Sequence, residues 1–131
     1  MDKDWIRPLF ILAGLYDGIL AVAFLFFASS IFQWFGVEAP NHPAYVKFPA
    51  LLLLIFAAMF FRIASDPVKN RELILYGVGL KAAYSGTAFW YQITQGMPFM
   101  WIPWAWADVV FLVLFLLAWK SLARVPGAGN G

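Results

Sequence analysis

Four stretches of about twenty residues, each nearly free of charge, run through this chain, and they constrain its fold more than any other feature. The first covers about 8–30 and holds one charge, Asp17. The second covers about 44–64, with Lys47 near one end and Arg62 near the other, where long stems reach the interfaces. The third covers about 72–94 and holds Lys81, and the fourth covers about 101–119 and holds Asp108. At a rise of ~1.5 Å per residue, each is long enough for a hydrocarbon layer of about 30 Å. Spans in lipid are helices or closed barrels, and uninterrupted apolar runs of this length are helices. Composition agrees: 12% of the residues are charged, against roughly 25% in a soluble domain. The expectation is an all-α, polytopic membrane protein: an antiparallel bundle of four transmembrane helices formed by residues 1–125, with a disordered tail at 126–131.

The punctuation between the runs supports these boundaries. Asn41-His42-Pro43 reads as a helix start, with Asn41 as N-cap and a proline in the first turn. Pro49 lies inside the second run and leaves the carbonyl of Tyr45 without its helical donor. In Asp66-Pro67 the acid caps a new helix that the proline opens. Gln95-Gly96-Met97-Pro98 is a tight turn, and Pro103 sits in the first turn of the fourth helix. The lead-in Met1–Arg7 carries two acids and two bases, and the run behind it is longer than a signal-peptide core, so a retained helix is expected.

Lysine and arginine set the orientation. Lys3, Arg7, Arg62, Lys69, Arg71, Lys120 and Arg124 fall on one side and Lys47 alone on the other. That bias places both termini in the cytoplasm. Zero cysteines exclude disulfides and thiolate metal sites, and one histidine, His42, excludes a histidine-rich metal centre built from one copy. No metal site and no cofactor held within the chain are expected. Bases are scattered without a nucleic-acid patch, so no nucleic acid is expected as a partner.

Three charges lie deep in the apolar runs. Asp17 stands ten residues beyond Arg7, Lys81 nine beyond Glu72 and Asp108 twelve before Lys120, depths of about 15, 13 and 18 Å. The three belong to different helices at similar depth, so the simplest arrangement is a buried Asp17–Lys81–Asp108 cluster. It has two acids for one base, which makes it a candidate proton site; the plainer reading is that it fixes helix register and assembly. On the third helix Tyr84, Ser85 and Gln92 share a face with Lys81. That polar stripe either lines an outward cavity or hydrogen-bonds between helices. Gly14 and Gly18 offer a close-packing track beside Asp17. Trp104, Trp106 and Phe111 flank Asp108 and suit contact with a flat apolar ligand. The outer segment Phe32–Glu38 is apolar enough to lie on a membrane surface, and His42, behind it, reads as a tolerated loop histidine.

Tyr16-Asp17-Gly18, Asn41-His42-Pro43, Arg62 with Asp66-Pro67, and Trp106-Ala107-Asp108 together resemble the DoxX-like small four-helix membrane proteins of bacteria. The resemblance covers the four-span plan. It implies a role beside quinone-linked oxidoreductase complexes for some members, and it carries no catalytic residue over to this chain. Three functions stay open. The first is a non-catalytic membrane subunit or binding protein that holds a quinone or lipid, with membrane lipids, a partner subunit or further copies around it. The second is a component of a small proton-coupled transporter. The third is a membrane enzyme using Asp17 or Asp108 as acid or base.

Overall fold

The computed structural model describes residues 4–123. The expected tail at 126–131, with Lys3 and Arg124, lies outside them. The described residues form five α-helices and no strand: α1 (Ile6–Phe26), α2 (Ala28–Trp34), α3 (Ala44–Ser65), α4 (Arg71–Thr94) and α5 (Ile102–Leu122), the last entered through a 3-10 turn at Phe99–Trp101. Three segments are long and apolar enough to cross a membrane: Ile6–Phe26, Ala44–Ser65 and Phe99–Leu122. Helix α4 has the length, at 24 residues, but glycine, serine, tyrosine and Lys81 dilute its apolar content. The outward faces carry large apolar side chains such as Leu12, Ile19, Ile55 and Val110, all exposed. A water-soluble bundle would place polar residues there.

Helices α1 and α3 pack tightly together, and so do α4 and α5. Glycine makes the first pairing close. A Cβ on Gly14 would sit 2.8 Å from the ring of Phe61, and one on Gly18 would meet the Ala57 Cβ at 3.6 Å. The two pairs join through aromatic rings. Phe10 stacks on Phe115 at 4.7 Å, and Phe60 lies 5.2 Å from Phe115. Ile6, Ile63, Ile74 and Leu122 complete this core, so the starts of α1 and α4 lie beside the ends of α3 and α5. A smaller cluster of Phe24, Phe32, Ala50 and Met100 lies towards the opposite end.

Two arginines tie the packed end. The first and last turns of a helix leave backbone groups unpaired, and the last carbonyls attract cations. Arg7 Nε donates to the Ala64 carbonyl at the end of α3, at 2.9 Å. Arg71 Nε donates to the Trp119 carbonyl at the end of α5, at 2.8 Å, with its guanidinium 4.3 Å from the Trp119 ring. Both bases thus act on neighbouring helix ends, beyond the topological bias read from the sequence.

Several boundaries differ from the sequence expectation. The first run does not continue as one helix to residue 30. Phe27 leaves helical geometry at φ −126° and ψ 19°. The bend brings Phe32 of α2 back onto Phe24, edge-on at 6.2 Å, where a straight helix would carry it past the bundle. Phe32 is therefore buried while Trp34 and Phe35 are exposed. Asp66 does not start α4 directly. Its Oδ1 accepts from the Lys69 N–H at 3.1 Å and caps a turn, and the helix begins at Arg71. Asn41 is not the cap of α3; His42 Nδ1 accepts the Ala44 N–H at 3.1 Å. Gly96, at φ +79°, supplies the left-handed residue of the turn before the 3-10 segment.

The joint between the pairs gives a stability test. A Cβ on Gly77 would fall 2.7 Å from Phe60 Cε1 and 3.3 Å from Phe115, and both rings are fully buried. Gly77→Ala is expected to cost about 1–3 kcal/mol through overpacking. Gly79→Ala on the same helix meets open space and is expected to be neutral or slightly stabilising. Unfolding midpoints of the two variants in detergent check the contrast.

Candidate functional site

Midway along the helices, between the aromatic core and the smaller cluster, three charges meet. Lys81 Nζ lies 2.9 Å and 3.0 Å from the two carboxylate oxygens of Asp17 on α1, and 3.0 Å from Asp108 Oδ1 on α5. An ammonium has three hydrogens, and these three contacts use them all. Lys81 is 0% exposed, Asp17 1% and Asp108 7%. The lysine sits deepest, and the open edge of the cluster belongs to Asp108. Aromatic rings surround the ammonium, with Phe111 at 5.0 Å, Tyr16 at 5.4 Å and Phe60 at 5.6 Å. Such contacts contribute roughly 0.5–2 kcal/mol each to holding a desolvated cation. The Ser85 hydroxyl donates to the Lys81 carbonyl at 2.7 Å, one turn back on α4.

Above the cluster the two helix pairs part around a cavity of about 610 Å³. Asp17 and Asp108 form its floor with Tyr16 and Tyr84. Its walls are mostly apolar and aromatic, from Leu20 and Phe24 on α1 to Leu53 and Phe56 on α3, Trp101 in the 3-10 turn and Trp104 in the first turn of α5. Its far end reaches the exposed residues Glu38, Pro40 and Tyr45. The volume lies within the roughly 300–1,000 Å³ of small-molecule sites, which pair apolar walls with a few placed polar groups.

The polar stripe of α4 divides. Tyr84 lines the cavity and donates to the Trp101 carbonyl at 2.8 Å, tying α4 to the 3-10 turn. Ser85 bonds within its own helix. Gln92 Oε1 accepts the Met97 N–H at 2.9 Å and so closes the turn after α4. The aromatic trio divides as well. Trp104 lines the cavity, four residues before Asp108 and on its face. Phe111 is buried beneath, against the lysine and Phe115. Trp106 is 60% exposed, packs edge-on against Phe89 at 4.9 Å and is not among the residues that line the cavity. Two positions along a helix turn a side chain to the other face.

Sequence reasoning passed over Tyr16 and the α3 wall. Asp17, Leu20 and Phe24 share one helix face by their spacing, so the α1 wall was legible from Asp17 outward. The α3 wall contains no charge to mark it. Tyr16 Oη and Trp104 Nε1 are buried without a hydrogen-bond partner, and their rings stand 6.4 Å apart beside the cavity. A buried unpaired donor costs about 1–3 kcal/mol. Among the described residues no group of three or more histidine, cysteine, aspartate or glutamate side chains is placed to hold a metal ion. No protein-family model matches the chain, and neither does any curated protein or any solved structure.

Proposed function

We propose that this chain is a non-catalytic membrane binding protein or subunit that holds a lipid-soluble molecule in its central cavity, the molecule's polar end resting on the Asp17–Lys81–Asp108 cluster. The observation that carries this reading is an apolar, aromatic cavity whose floor is formed by buried charges. The quinone or lipid expected from the sequence belongs to this class. In the proposed topology four helices cross a bacterial inner membrane in alternating directions, with both termini cytoplasmic. The strong bias of lysine and arginine towards one side supports it. Helix α4 joins the three more apolar segments as a span, the third in chain order. Its 24 residues rise about 36 Å, and its one mid-helix charge is neutralised by acids on two neighbours. A partner subunit, further copies of the chain and membrane lipids are its natural company.

A second reading, a component of a small proton-coupled transporter, draws on one specific feature. The cavity runs from mid-helix charges to the exposed end at Glu38 and Pro40. Carriers place their charges at that depth.

The binding reading is tested on protein extracted in mild detergent and examined by native mass spectrometry. Wild type is expected to retain a lipid-soluble species at fixed stoichiometry. Leu53→Trp fills the cavity from its wall and is expected to lose that species. Equal retention by both, or none by either, overturns the reading.

A further inference from the structure

We infer that the occupant of the central cavity is a lipophilic cation, a molecule whose positive charge is spread among or shielded by bulky apolar groups. The inference rests on the reading that the cavity binds a ligand, and it sharpens that reading by charge.

The charged residues lining the cavity are Asp17, Glu38 and Asp108, all acids. Among the described residues that line it, none is lysine, arginine or histidine. Lys81 lies under the floor with no exposed surface, and its hydrogens are spent on the two aspartates. It balances one of the three acids without offering a cation to an incoming molecule. The bases nearest the mouth, His42 and Lys47, line an adjoining recess of about 440 Å³ that shares Phe24, Phe32, Pro40 and Val46 with the cavity, and neither reaches the floor. An anion at the cavity floor would meet the acids Asp17 and Asp108 and no base of the lining. A neutral molecule would gain the apolar contact alone.

Two further observations fit a cation. Asp108 keeps Oδ2 without a hydrogen-bond partner among the described residues, and Asp108 is the cluster member with surface open to the cavity. Aromatic residues line the cavity along its length, from Phe24 and Trp101, stacked on each other at 5.9 Å, to Tyr16 and Trp104 near the floor. Aromatic faces attract cations through the ring quadrupole, and they do so without a hydrogen-bond donor on the ligand. Buried acid, aromatic walls and absent base select one charge sign, and the volume selects a bulky molecule.

The test uses two probes of nearly the same shape and opposite charge, tetraphenylphosphonium and tetraphenylborate, with a short-chain quinone as the neutral probe. Binding to the full chain in detergent is measured by equilibrium dialysis. Saturable binding of the phosphonium at least tenfold tighter than the borate is expected. Asp108→Asn should weaken it tenfold or more. Glu38→Gln, at an exposed position that leaves the bundle intact, should weaken it severalfold. Leu53→Trp should abolish it. Saturable binding of the borate or the quinone as tight as the phosphonium, or a phosphonium affinity that neither acid variant changes, overturns the cation inference and leaves the cavity reading standing. Failure of all three probes, together with a Leu53→Trp variant that retains the same co-purified species as wild type, overturns both.

Discussion

Lys81→Met is expected to lower the stability of the fold by about 3–5 kcal/mol, the largest loss of any single substitution considered for this chain. The reason is the one-to-two stoichiometry of the cluster. Lys81 donates to both oxygens of Asp17 and to Asp108 Oδ1, all within 3.0 Å, with no water-exposed surface of its own. Methionine keeps the length and the packing against Phe60 and Phe111 but removes the charge and the donors. Two carboxylates then face each other in a dry interior without a countercharge. Burial makes that costly, whereas replacing a whole buried ion group with neutral side chains is often neutral or stabilising. Lys81→Met combined with Asp17→Asn and Asp108→Asn is therefore expected to recover most of the loss. Unfolding in detergent, followed by circular dichroism for the wild type, the single and the triple variant, decides it. Equal losses in the single and triple variants would show that the charges contribute independently and that the cluster is not the unit it looks like.

How far this arrangement was legible in the sequence depends on which link is asked for. The similar depths of Asp17, Lys81 and Asp108 follow from counting residues inward from flanking charges, because a helix converts sequence distance to depth at a fixed rise. The bounds of α3 follow from Pro43 before it and Asp66 after it. The bend at Phe27 was not legible. No proline or glycine marks it, and its driving contact, Phe32 on Phe24, is tertiary. The caps supplied by Arg7 and Arg71 were hidden for the same reason. A basic residue near an interface satisfies both topology and capping, and only the neighbouring helix end separates the two. The cavity itself is a property of two helix pairs that meet at one end and part at the other. Gly14, Gly18 and Gly77 hint at close approaches, but the spacing along one helix does not say which partner it approaches. Trp104 and Trp106 were separable from the start. One lies a full turn from Asp108 and the other half a turn, yet proximity in sequence grouped them.

Phe60→Ala is expected to cost about 3 kcal/mol, and the contrast with Leu53→Ala gives the experiment its meaning. In lipid the outside of a bundle is as apolar as its inside, so helix association draws little from expelling water. What holds the helices is contact between atoms, and a void forfeits it outright. Phe60 is fully buried, packs against Phe10 and Phe115, and underlies the ammonium of Lys81 at 5.6 Å. Its removal opens a space that the backbone cannot easily close, because Gly77 already brings α4 against the same ring. Leu53 stands on the same helix, but it faces space that is already open. Truncating it removes few contacts, and a loss below about 1 kcal/mol is expected. A large loss at Phe60 with a small one at Leu53 locates the stability of the protein at the aromatic end. The cavity half then stays loose enough to take in a molecule without unmaking the fold. Comparable losses at the two sites, read from unfolding midpoints in the same detergent, would mean that the cavity closes in solution and that α3 is packed along its whole length.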